Sequence, residues 1–209
     1  IEKSGRAFGG KMLLLSPTTE ERQLYALFAA DEARHLSQVA AHLESPETLT
    51  TSNPFHMLLK DLIEHGERDT LVFVIQVVLE GWGLTHYRQL AEASLDAGLR
   101  ATLRSILEAA ARHHGSGKVL ADARGIDRRA RGAIVEVMVH FLNMVRCGPQ
   151  TVAGAIERAH GGLTKSQKQA LFEDLDAETH SGARLSLLRR LMTTRASAPD
   201  LGGFGLADA

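Results

Sequence analysis

Cysteine is almost missing from this chain: Cys147 is the only one in 209 residues. A single thiol excludes an internal disulfide, an iron–sulfur cluster and a four-cysteine iron centre together, and it makes a reducing cytoplasm the expected compartment. Prolines number 5 and aromatics make up 5%, and no segment alternates apolar with polar residues as a half-buried strand would. Long apolar runs are missing too. The longest, Leu71 to Leu79, is broken by Gln76 and is far too short to cross a bilayer. Neither sign of charge dominates: the formal net charge is -1 and the two signs are mixed along the chain. That pattern offers no surface built for nucleic acid or an anionic membrane. No secretory signal is visible.

What is present is helical pattern, in a chain that is 44% apolar and 23% charged, a composition that suits a globular fold with a sizeable core. A first helix reads from the start to about Leu15. Thr18 and Glu21 stand at capping-box spacing and open a second helix, running to about Leu43. Residues 45–54 read as a loop and 55–65 as a short helix. A third long helix is expected over 67–95 and a fourth over 97–114, either closed by Gly115-Ser116-Gly117 or continuing past it. Gly125, Gly148-Pro149 and Gly161-Gly162 punctuate three further helices near 127–146, 149–160 and 164–194. The expected fold class is therefore all-α. Its core is a four-helix bundle over 1–117, with a C-terminal helical extension over 118–195 and a loosely held tail over 196–209.

The chemistry sits in a repeated string. Asp31-Glu32-Ala33-Arg34-His35 is echoed by Ala109-Ala110-Ala111-Arg112-His113, which keeps the Ala-Arg-His ending and has lost the acidic pair. E-x-x-H on a helix puts a carboxylate and an imidazole one turn apart on one face. Two such motifs with two lone glutamates make a di-iron site in a helix bundle. Glu2 lies on the first helix and Glu80 on the third. Glu2 to Glu32 is thirty residues and Glu80 to Ala110 is again thirty, the spacing two successive antiparallel helix pairs need to bring their midpoints together. Leu71 to Leu79 is apolar on nearly every face, as expected of a helix at the centre of a bundle. It delivers Glu80 to the interior, where a carboxylate must be paired, protonated or bound to metal.

Over residues 1–117 the sequence resembles the ferritin-like di-iron carboxylate superfamily of oxidases and oxygenases. The resemblance rests on Asp31-Glu32-Ala33-Arg34-His35, Leu79-Glu80-Gly81-Trp82-Gly83, Ala111-Arg112-His113-His114 and the spacing between them. It implies that Glu2, Glu32 and His35 hold one iron and Glu80 and His113 the other, with Glu32 bridging. It also implies that Asp31 accepts the Nδ1 proton of His113 and fixes that tautomer. The implied activity is oxidation or hydroxylation of a small-to-medium organic substrate. Two irons would be the cofactor, O2 the co-substrate, and an external donor the source of electrons. A homodimer is allowed.

The departure lies at Ala109-Ala110, where the second motif should carry Asp-Glu. One bridging carboxylate and one acid behind a histidine are missing, so the site is expected to hold metal weakly, or one ion, or none. Glu108 is turned about 200° away by two residues of helix. His114, about 100° round from His113, reaches the cavity only if the fourth helix is locally distorted. Iron storage, peroxide reduction and a binding scaffold with a vestigial metal site are the alternative roles. Other acid–histidine pairs read as ordinary polar residues: Glu157 with His160 at a solvated helix end, and Glu136 with His140 on the surface or in the core. His86 reads as structural or as supporting a ligand, and Trp82, Tyr87 and Tyr25 as packing residues, with a tyrosine near the metals able to relay electrons.

Overall fold

The computed structural model of the chain describes residues 2–43 and 54–174, with 182, 183, 186, 187 and 190 beyond them. The expected loop up to Asn53, the second half of the last helix and the tail from Ala196 lie outside the described residues. Within them the fold is an all-α helical bundle with no strand. No helix there is long and apolar enough to cross a membrane.

Helices α1 (Glu2–Leu15) and α2 (Thr19–Ala40) form an antiparallel hairpin. Thr18 caps α2 as its spacing predicts, its Oγ1 accepting from the Glu21 N–H at 3.2 Å. Phe8 meets Phe28 edge-on at 5.2 Å and Tyr25 at 5.7 Å, the offset geometry that aromatic quadrupoles favour. Gly9 lets the two backbones approach: a Cβ there would lie 2.9 Å from that of Ala29.

The third long helix is one rod in three pieces: α4 (Arg68–Leu71), a π-helical segment (Val72–Leu79) and α5 (Glu80–Ala93), preceded by the short α3 (Pro54–His65). Backbone dihedrals stay right-handed helical across both junctions. Eight residues of π-helix is long for a form that is mostly confined to single-turn bulges. Val72 to Val78 are all buried, so no polar face ties the run to the ordinary helical period. The Glu80 N–H bonds to the Ile75 carbonyl, five residues back. The widened turn therefore sets the direction from which Glu80 enters the interior. Sequence pattern gives no sign of this widened turn; the distortion on which a ligand role for His114 depended is not present, and α6 is regular.

That facing helix, α6 (Ala97–Arg124), is capped by Asp96 and closed by Gly125 at φ 70°. It runs through Gly115 and Gly117, so position 117 lies inside a helix. Gly117 is needed there because a Cβ would sit 2.8 Å from the Gln76 Cβ. α7 (Arg128–Arg146), capped by Asp127, lies against α3, α4 and the π segment. It adds Ile134, Met138 and Phe141 to the core. α8 (Gly148–Ala159) and α9 (Lys165–Asp174) follow, tied by Lys168 and Glu157 at 2.6 Å. His160, Glu136 and His140 are exposed and Glu157 is half-buried beside Lys168, in keeping with their reading as ordinary polar residues.

The α1–α2 hairpin and a second one, formed by the three-piece rod and α6, are joined through Gln76. Tyr25 donates to its Oε1 at 2.8 Å, and its Nε2 donates to the His113 carbonyl at 3.1 Å and the Ser116 hydroxyl at 2.9 Å. The one polar residue in the apolar run is thus a satisfied, fully buried cross-link. Gln76→Leu should cost about 1–3 kcal/mol, because it strands the buried Tyr25 hydroxyl. Denaturant unfolding checks this, and the added change Tyr25→Phe should recover part of the loss.

Candidate metal centre

Four helices bring the candidate residues to one place. α1 offers Glu2, α2 offers Glu32 and His35, α5 offers Glu80, and α6 offers His113. Ligand atoms of Glu2, Glu32 and His35 lie within 4.8 Å of one another, and so do those of Glu32, Glu80 and His113. Glu32 belongs to both groups, as the resemblance implied. Gly5, which sequence reading overlooked, makes room for it: a Cβ at Gly5 would come within 2.8 Å of the Glu32 carboxyl carbon.

His35 Nδ1 stands 3.2 Å from Glu2 Oε2 and 3.7 Å from Glu32 Oε1. His113 Nδ1 stands 3.3 Å from that same Glu32 oxygen. Both imidazoles are buried, and none of their four ring nitrogens has an aligned hydrogen-bond partner among the described residues. Buried polar atoms are rarely left that way. A cation drawn into the space between these nitrogens and carboxylates would satisfy both sets of atoms at once.

The role of Asp31 needs one correction. Its Oδ2 faces His113 Nε2 at 3.4 Å, not Nδ1, because Nδ1 is turned towards Glu32. A proton held on Nε2 leaves the Nδ1 lone pair aimed inward, the tautomer a metal ligand requires. Arg34 at 2.8 Å and Arg112 at 3.7 Å also face Asp31. By the internal repeat, Ala109 stands to His35 as Asp31 stands to His113. Alanine offers His35 Nε2 no acceptor, whereas His113 Nε2 has the Asp31 carboxylate 3.4 Å away.

Other side chains sort themselves around this centre. Tyr87, expected only to pack, donates its hydroxyl to Glu2 Oε1. Nothing in the E-x-x-H pattern marks it, although it lies seven residues beyond Glu80 and so on the same helical face. His114 lies against the backbone of Gln76 and Val77 and joins neither ligand group. Glu108 is exposed. Phe28 stacks on His113 with centroids 3.8 Å apart.

A cavity of about 300 Å³ opens from Glu2, Glu32, His35 and Glu80. Ala110, itself buried, forms part of its wall. Ile75, Leu79, Phe55 and Phe141 make the lining mainly apolar, and it reaches Trp82 and the exposed His86 at its outer end. Trp82 packs edge-on against Phe141 at 5.0 Å.

The electrostatics are those of an anionic pocket. Burial pushes the Glu80 carboxyl well above its ordinary range, and the negative Glu32 and Glu2 push it further. Burial would also raise Glu32, but the imidazoles of His113 and His35 outweigh it and hold that group low. Burial disfavours charge on His35, yet Glu2 and Glu32 take it up to about 9. Burial, then the charge of Glu2, keeps Tyr87 a phenol.

Family models, curated proteins and solved structures give no match to this chain.

The two raised groups set a pH dependence. Glu80 binds its proton more tightly folded than unfolded, where it titrates near 4.5, and His35 holds its proton from 6.5 up to about 9. Each contributes stability below its unfolded value that is lost as pH rises through its folded value. The thermal midpoint of metal-free protein should therefore fall as pH rises from about 5 to about 9. Calorimetry checks the slope, and Glu80→Gln should flatten its acidic half; a midpoint that rises over this range would contradict the assignment.

Proposed function

We propose that this chain is a ferritin-like di-metal carboxylate protein, a non-haem iron oxidoreductase that uses O2 to oxidise or hydroxylate a small-to-medium organic molecule. The reading rests above all on two ligand groups that share Glu32 and open on one apolar cavity. Carboxylates mixed with imidazoles suit iron or manganese, and the lack of thiolates argues against softer ions. Glu2, Glu32 and His35 would hold one ion, and Glu32, Glu80 and His113 the other. Two ferrous ions there would supply reducing equivalents to O2 and oxidising power against a substrate C–H or N–H bond.

The protein's own part is positional. Asp31, 3.4 Å from His113 Nε2, favours a proton on that nitrogen and leaves Nδ1 free to bind. Tyr87 ties down one oxygen of Glu2, so that the other points to His35. Phe28 fixes the plane of the His113 ring. Phe55, Trp82 and Phe141 keep bulk water out and give an organic substrate apolar wall to bury. A mainly apolar cavity is poor lining for a mineral store. The persistence of Glu2, Glu32 and Glu80 in a buried site also weighs against a scaffold, since unpaired buried carboxylates are costly to keep.

Ala110 leaves the pair one acid short, and the two positions are unequal. Each group has one carboxylate of its own, Glu2 or Glu80, and shares Glu32, but Glu80 is held well above the ordinary carboxylate range and must release its proton before it binds an ion. In anaerobic Fe(II) titration one ion should bind at the first group, and the second at least ~10-fold more weakly. Ala109→Asp with Ala110→Glu should bring stoichiometry to two and give O2 consumption that depends on an added reductant. Protein restored in this way that holds two irons and never consumes O2 would leave a storage or structural role instead. Failure of both forms to bind metal would end the metal reading itself.

A further inference from the structure

One part of the cavity belongs to no ligand group: the space over Ala110. Along α6 the residues Ile106, Ala110 and His113 fall on one face, and Ala110 occupies the place relative to His113 that Glu32 occupies relative to His35. Its methyl group is shorter than a glutamate side chain by a methylene and a carboxylate. The missing volume is not filled by a neighbour, because Ala110 still lines the open cavity together with Glu32 and Glu80. The gap is continuous with apolar wall at Ile75, Leu79, Phe55 and Phe141.

Charge makes a demand on that gap. The two ligand groups contain three carboxylates, Glu2, Glu32 and Glu80. Two divalent ions would outweigh them by one positive charge, inside a pocket whose walls are largely hydrocarbon. Uncompensated charge in such surroundings is expensive, so a monoanion is wanted at the place where the protein has withdrawn its own. The volume, about 300 Å³, is at the lower end for small-molecule sites, and its lining changes from acidic to apolar outward.

We infer that the ligand of this cavity is an amphiphilic monocarboxylate, whose carboxylate takes the position over Ala110 left by the missing side chain and whose apolar chain runs outward past Leu79 and Phe55 towards Trp82 and Phe141. The inference rests on the metal-binding reading above and adds the class of molecule to it. Glu2 and Glu32 repel such an anion when no cation is present, so binding is ordered: metal first, carboxylate second. The same gap explains how a site short of one protein ligand can still fill its coordination when the ligand is present. Each partner then raises the affinity of the other by the same factor.

The full chain is tested with Co(II), whose visible absorption reports its ligands without O2 chemistry, and with octanoate and 1-octanol as probes. Octanoate should change the Co(II) spectrum, raise Co(II) affinity at least ~10-fold, and bind at least ~10-fold more tightly than 1-octanol. It should not bind metal-free protein. Ala110→Val fills the gap without adding charge, and should abolish the octanoate effect while leaving Co(II) binding in place. Ala110→Glu supplies the carboxylate in cis and should make Co(II) binding indifferent to octanoate. Co(II) binding with no preference of octanoate over 1-octanol, or an octanoate effect that survives Ala110→Val, overturns the inference and leaves the metal reading standing. No Co(II) or Fe(II) binding at all removes both, and is told apart because it appears in the titration without octanoate.

Discussion

The fold is organised around a carboxylate held between two imidazoles. Glu32 faces His35 one turn along its own helix and His113 on α6, and Gly5 on α1 leaves space for it. One buried anion thus fixes the register of three helices. Gln76 does the same with neutral hydrogen bonds one or two turns away, holding Tyr25 of the first hairpin and the His113 carbonyl of the second. Between them these two polar clusters oblige an otherwise apolar interior to assemble one way. Apolar contacts are permissive about register, whereas a misplaced buried charge or amide is not.

Much of this was legible from the chain. The E-x-x-H interval places Glu32 and His35 on one face because a helix turns every 3.6 residues, and the matching intervals of thirty brought Glu2 and Glu80 to the same level. Those inferences needed only helical geometry and an antiparallel return. The helix boundaries were readable where a cap announces them, as at Thr18, and Gly125 ended α6 where the punctuation suggested. Gly115 and Gly117 carried the same punctuation without ending anything. A glycine is chosen for a close approach as readily as for a break, and only the position of Gln76 tells which.

Other features leave no trace in local pattern. The π segment could not be read because a run that is apolar on every side has no periodicity to reveal its pitch. Tyr87 could not be placed because its partner, Glu2, lies 85 residues away. The ring orientation of His113 depends on which nitrogen Glu32 and Asp31 each claim, a matter of three bodies. The Ala109-Ala110 departure, by contrast, was plain in the string, and its structural sequel is an unaccompanied His35 Nε2 and an open space beside Glu80.

Trp82 gives the cavity an optical consequence. It is the only tryptophan in the chain, it lines the cavity near its outer end, and its indole is held edge-on to Phe141. Intrinsic fluorescence excited at the indole band is therefore a local signal from the cavity wall instead of an average over the molecule. Water entering the cavity would shift the emission to the red, an apolar occupant would shift it to the blue, and a paramagnetic ion deeper in would quench it. The protein carries its own gauge of whether that space is wet, filled or metallated.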